Sequence, residues 1–177
     1  VCEPATNLLH RAVIRQDGPL LKMERPKTES KSEFLSSKDA WFHPMSIAHE
    51  PDGAVAIVDF YREIIEDYSA IPRYLQQQYE LDHGKDHGRI WRLVHKDMPK
   101  SPDPDMSKLG AVALAKETGG SYHWRRQTAR RLLVEKATLS PEATKILIEF
   151  AKDASSSRES VVNALHTLAG LGKLSPS

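Results

Sequence analysis

The stretch PDGAVAIVDFYREIIE, Pro51 to Glu66, decides how the chain folds. Pro51 presets φ and Gly53 closes a turn. AVAIVDF, Ala54 to Phe60, is apolar and largely β-branched, the composition of a buried strand. It reaches an acidic residue, Asp59, and runs straight into YREIIE, which is predicted to form a short helix. Upstream, MSIAHE enters the turn as a strand of about six residues. Downstream, PRYLQQQYEL predicts a second short helix, and GRIWRLVH, Gly88–His95, predicts a further strand carrying Ile90, Trp91, Leu93 and Val94.

The N-terminal stretch repeats this plan. VCEP is a short apolar strand end, and NLLHRAVIRQ, Asn7–Gln16, reads as one strand. Gln16-Asp17-Gly18 is a hairpin turn, since glycine tolerates positive φ, and PLLKMERP returns as a strand that stops at Pro26. The polar KTESKSEFLSSKDA is a connection. VCEPATNLLHRAVI and IVDFYRE…GRIWRLVH share an order: apolar strand, acidic residue, loop, then a strand with an aromatic or His followed by Arg. His10-Arg11 and Trp91-Arg92 occupy equivalent places. Two copies of a four-stranded unit suit β-propeller blades. Two blades close no ring, and the chain starts at Val1 in what reads as a strand end, so it is expected to be an internal segment of a longer protein.

The character changes after KDMPKSPDPDMS, where prolines mark a boundary. Four segments of helix length follow: SKLGAVALAKET, YHWRRQTARRLLVEK, SPEATKILIEFAKD and SRESVVNALHTLAGLG. Trp124, Ala129, Leu132 and Leu133 fall at helical spacing. Ser140 before Pro141, with Glu142 behind, is an N-cap signature. Short loops between amphipathic helices predict two antiparallel pairs stacked as an α-solenoid. The expected fold class is multidomain β then α: the last one to two blades of a propeller over 1–96, a Pro-rich linker over 97–106, and HEAT-like helical repeats over 107–177.

A chain of 177 residues can bury one ordinary core or two small ones. A net charge of +1 gives no general pull toward nucleic acid or a membrane surface. The single cysteine, Cys2, excludes an internal disulfide and reads as a buried small hydrophobe. No apolar run reaches the length of a bilayer span.

VCEPATNLLHR, WFHPMSIAHEPDGAVAIVDFYREIIE and LDHGKDHGRIWRL resemble the planctomycete-type membrane-bound dehydrogenases. The propeller of that family is similar to glucose/sorbosone dehydrogenases and continues into HEAT-like repeats, often with a C-terminal cytochrome c domain. This chain has His43 and His87 where the family commonly has Arg, and it contains no CxxCH, so it cannot attach haem covalently. The resemblance implies oxidation of a sugar or related alcohol, with electrons passed to a cytochrome c domain or protein. It also implies a pyrroloquinoline quinone-like cofactor with calcium, haem c in a separate domain, protein contacts through the helical repeats, and a periplasmic or cell-envelope parent. The chain by itself is expected to be inactive, because a ring site draws on several blades. The alternative is a non-catalytic propeller–solenoid scaffold or glycan-binding module.

If the strands run antiparallel, WFHP and the insertion after Asp59 share one mouth of the channel. Asp59, Tyr61, Arg62 and Glu63 crowd there, with Asp86 and Arg89 as a second group and His43 at the strand entrance. Arg62 could clamp an anion with Asp59 orienting it. Alternatively, Asp59 caps the YREIIE helix and Arg62 pairs with a carboxylate such as Glu63 or Glu66. Gly88-Arg89 could serve a ligand or simply be turn chemistry. His83 and His87 are four apart, but Gly84 between them argues for a loop, where helical metal-ligand spacing does not apply. Trp41 and Phe42 could stack on a sugar or pack between blades. Trp91 and Trp124 read as core, and the basic run HWRRQTARR as a solvated helical face.

Overall fold

The computed structural model describes residues 1–65, 68–79, 83–98, 103–136 and 139–174. These form a mixed α/β structure with three small antiparallel sheets and five α-helices, and the described strands close no barrel. Two compact units are present. One comprises residues 1–48 and 55–94, and the other residues 49–54 and 95–177.

In the first unit, β1 (Cys2–Glu3), β2 (Leu8–Leu9) and β5 (Leu35–Ser36) form one sheet. A hairpin of β3 (Val13–Asp17) and β4 (Leu20–Glu24) stands apart. The third sheet has the order β6 (Pro44–His49), β7 (Val55–Asp59), β8 (Arg89–Leu93). The strand expected over Asn7–Gln16 is thus two strands in two sheets. The hairpin turns at Gly18, whose φ of 57° suits a tight two-residue loop. Its strands are exposed throughout, and its base is braced by Arg25, which bonds Glu33 at 2.8 Å and the Glu29 and Ser32 carbonyls.

The two outer sheets share a register. Cys2 lies opposite Leu9 and Glu3 opposite Leu8, as Val58 lies opposite Ile90 and Asp59 opposite Arg89. One step further, Val1 and His10 exchange backbone bonds of 2.8 and 2.9 Å, where Ile57 faces Trp91. The pairing therefore sets His10 equivalent to Trp91. The first sheet continues outward from β2 to β5, whereas the third has a strand, β6, before β7.

The helix expected over YREIIE is absent across Tyr61–Ile65, which is irregular; Glu66 lies outside the described residues. The reason is local. Phe60 N–H donates to the His43 carbonyl at 2.9 Å and Arg62 N–H to the Trp41 carbonyl at 3.2 Å. The backbone thus goes on pairing with the segment beside it as far as Arg62, and Tyr61 takes a left-handed φ of 47°, so these residues do not hold right-handed helical geometry. The second expected helix is α1 (Arg73–Tyr79).

The second unit holds α2 (Ala111–Glu117), α3 (His123–Lys136), α4 (Pro141–Lys152) and α5 (Arg158–Gly170). α2 packs on α3 and α4 on α5, and the hairpins meet α2 on α4 and α3 on α5. Leu114, Ala129, Leu133, Ala143, Leu147, Ala164 and Leu168 form the core. Each buried leucine contributes about 1.5–3 kcal/mol. Alanines at the contacts let the helix backbones approach. Met106, expected in the linker, is instead 2 % exposed within this core; residues 99–102 of that linker lie outside the described residues. Ser140 caps α4 by accepting from Ala143 N–H at 3.1 Å, with Pro141 as the first helical residue. No described helix is long and apolar enough to cross a membrane.

Candidate functional site

Asp59 is the centre of the predicted cluster and is 1 % exposed. It ends β7 on the inward face, so its carboxylate enters the protein rather than a mouth. One oxygen, Oδ1, accepts from His43 N–H and Tyr61 N–H, both at 3.0 Å. The other, Oδ2, accepts from the Trp91 indole N–H at 3.0 Å, with Arg89 Nε at 3.6 Å. One carboxylate therefore ties the entrance of β6, the end of β7 and the side chain of β8. It does not cap a helix, and its lone pairs face the chain's own donors.

Arg62 also turns inward, to carbonyls rather than to a carboxylate. Its Nη1 donates to Tyr61 O at 3.1 Å and Gly84 O at 2.7 Å, and its guanidinium lies 4.6 Å from the Phe60 ring centroid. Gly84 permits this approach: its φ is +85°, and a Cβ there would sit 2.8 Å from the Tyr61 carbonyl oxygen. The neighbouring pair Glu63–His83, at 2.7 Å, fastens the same loop. Glu66, the other expected carboxylate, lies outside the described residues.

Tyr61 adopts a left-handed backbone, φ 47°, which is unusual for a bulky residue and is held by the bond to Asp59. The turn presents its ring to the Arg89 guanidinium, 3.7 Å from the ring centroid. Trp41 packs edge-on against Tyr61 and stacks on His83 at 6.1 Å with planes 13° apart. His43 is 5 % exposed. Its Nδ1 lies 2.8 Å from the Pro4 carbonyl, which can only accept, so Nδ1 carries the proton. Nε2 is buried with no hydrogen-bond partner among the described residues. Asp86 is exposed and makes no hydrogen bond or ion pair with a described residue.

The structure thus joins His43, Asp59, Tyr61, Arg62 and Arg89 in one bonded cluster and leaves Asp86 outside it. Sequence reasoning missed Trp91 as a member, placing it in the core although it is 47 % exposed. The available signal was register: once Asp59 is paired with Arg89, Trp91 is two residues along the same strand.

A family model described as a domain of unknown function (DUF7133) matches residues 1–97. The chain belongs to that family. The DUF7133 match spans all eight strands and the whole bonded cluster. No curated protein and no solved structure matches the chain.

A carboxylated quinone would need a free guanidinium fork and a carboxylate open to a cation. Arg62 and Asp59 do not fit that need, because both are committed to the DUF7133 backbone and to Trp91. Among the described residues no three His, Cys, Asp or Glu side chains converge as a metal site. The sheet unit does hold a cavity of about 310 Å³, mainly apolar, lined by Leu35, Phe42, Ile57, Trp91 and Leu93 among others. None of the six predicted site residues lines it.

Proposed function

We propose that this chain is an architectural module of a propeller protein similar to the glucose/sorbosone dehydrogenases, framing a site it does not itself complete. On this reading β1–β2–β5 corresponds to strands two to four of one blade and β6–β7–β8 to strands one to three of the next. The shared register of the two hairpins supports it. The stacked helix pairs correspond to HEAT-like repeats that offer a contact surface to protein partners. The parent would be a periplasmic or cell-envelope enzyme oxidising a sugar or alcohol and handing electrons to a cytochrome c.

The observation that carries the framing role is the burial of Asp59, 1 % exposed, with both oxygens engaged by His43, Tyr61 and Trp91 of the same chain. A group meant for substrate keeps an open edge. The test is a dye-linked dehydrogenase assay of the purified chain with aldoses and polyols, with pyrroloquinoline quinone and calcium added. No turnover is expected, and turnover abolished by Arg62→Lys would overturn the framing role. The scaffold reading without any redox parent has its own support: Trp41, Tyr61 and His83 form an aromatic cluster of the kind that stacks on sugar rings. Saturable glycan binding, lost in Trp41→Ala and independent of quinone, would favour it.

A further inference from the structure

The helical unit contains two consecutive arginines with opposite fates. Arg125 is 5 % exposed, and its Nε and Nη2 edge meets Glu117 in two parallel bonds of 3.0 and 2.7 Å. Arg126 uses only Nη1, which donates to the Gly120 and Ser121 carbonyls at 2.8 Å each. Its Nε is buried without a partner among the described residues. A guanidinium N–H withdrawn from water and left unbonded is costly. Arg125 shows the partner that a guanidinium of this unit takes inside the fold: a carboxylate, Glu117.

Arg126 opens onto a groove between α3 and α5 of about 300 Å³, lined also by Gln127, Arg130, Arg158, Glu159 and Asn163. Arg126 and Arg130 are one helical turn apart on one wall, and Arg158 stands on the other. None of these three arginines makes an ion pair within 4 Å with a described residue, although the single carboxylate of Glu159 feels the charges of Arg126 and Arg158, which leaves the groove with a net positive charge. Across the floor, Gln127 donates to Asn163 at 3.2 Å, which leaves its own amide oxygen free to accept a peptide N–H.

We propose that this groove binds an extended acidic segment of a partner protein, its carboxylates paired with the guanidinium groups of Arg126, Arg130 and Arg158. Peptide carboxylates fit better than a phosphate backbone. Glu159 sits among the arginines and would repel a continuous polyanion. No Phe, Tyr or Trp lines the groove, and its only aromatic rings are those of His123 and His166. Residues 95–177 carry 13 Lys and Arg against 9 Asp and Glu, a modest excess for a nucleic-acid surface. The inference deepens the reading of the helices as a contact surface but stands on the helical unit alone, so a failed or successful dye assay leaves it where it is.

The test is fluorescence anisotropy of the full 177-residue chain with a labelled Asp/Glu-rich peptide and its Asn/Gln counterpart, at low and physiological salt. The acidic peptide should bind and the amide peptide should not. Arg126→Lys keeps the charge but loses the fork, and should weaken binding about tenfold. Because Arg126 also holds two carbonyls, Arg158→Gln is the second variant; it is exposed and should weaken binding with helical circular dichroism intact. Equal binding of both peptides, no binding at low salt, or unchanged affinity in both variants overturns the proposal. So does a single-stranded oligonucleotide that binds more tightly through the same arginines.

Discussion

The sheet unit and the helical unit handle polar and apolar groups in opposite ways. Around β6–β7–β8 the polar side chains of His43 and Asp59 turn inward and are bonded, while several apolar ones face out: Met45 is 51 % exposed and Ile90 71 %. In the helical unit the leucines at the helix contacts close on one another, with Leu114, Leu133 and Leu147 at 1 % or less, and the cations of the α3–α5 groove face solvent. The difference shows where each unit expects company. A sheet with an exposed apolar face is built to be covered by another apolar face. A closed helical core with open arginines is built to meet charge.

That comparison breaks most sharply at Asp59. Asp59→Ala strands three donors, His43 N–H, Tyr61 N–H and the Trp91 indole, in a site with little water. At about 1–3 kcal/mol for each unsatisfied donor, partly relieved by relaxation, the expected loss is about 3–5 kcal/mol. Urea unfolding followed by tryptophan fluorescence should show it, while the helical circular dichroism transition stays in place. Asp59→Asn keeps one acceptor oxygen and should cost less. If the two transitions move together, the units are not independent. The converse probe is Leu133→Ala, which opens a cavity in the helical core and should cost about 2–5 kcal/mol in the helical transition alone.

These contrasts were unevenly legible in the sequence. The strands around the Pro51-Asp52-Gly53 turn were readable because β-branched residues and turn chemistry agreed. The break in Asn7–Gln16 was not, because apolar content cannot say that His10–Ala12 leaves one sheet for another. YREIIE has helical composition, yet backbone pairing with Trp41 and His43 overrode it. The site residues were found as a neighbourhood, since Asp59, Arg62 and Arg89 flank one insertion. Their direction was hidden, because whether a carboxylate faces a mouth or an indole depends on cross-strand register. Arg126 was hidden for a similar reason: HWRRQTARR does not say which of two adjacent arginines already has its glutamate.

A smaller effect sharpens the claim that the helices are locally complete. Ser140→Ala removes the acceptor for Ala143 N–H at the start of α4 and should cost about 1 kcal/mol, read in the helical transition. Ser140→Gly should recover most of that, since glycine tolerates the extended cap geometry and leaves the N–H open to water. A loss several times larger would mean that α4 is held chiefly by its cap rather than by Leu147 and Ala143 in the core.

The smallest expected effect is a pH slope specific to the helical unit. His123 begins α3, and its ring lies 4.8 Å from that of His49. Partial burial first, then the charges of His49 and Arg126, hold its pKa below the usual histidine value. A histidine whose folded pKa is depressed takes up its proton more readily in the unfolded chain. Between the ordinary value near 6.5 and the lower folded value, the unfolded state therefore binds more protons, and stability falls as pH falls through that window. The helical transition should be highest above about pH 6.5 and decline below it. His123→Gln should flatten that segment. The carboxylates Asp105, Asp153 and Glu159 also have lowered values, from bonds to Ser107, to Ser155, and to the Glu159 backbone and Ser157 respectively. Their stabilisation is present above the ordinary carboxylate range, about 4, and is lost as pH falls further. The variant should thus keep its acid limb and lose only the upper one. A Gln variant with an unchanged profile between pH 5 and about 6.5 would remove His123 from the account.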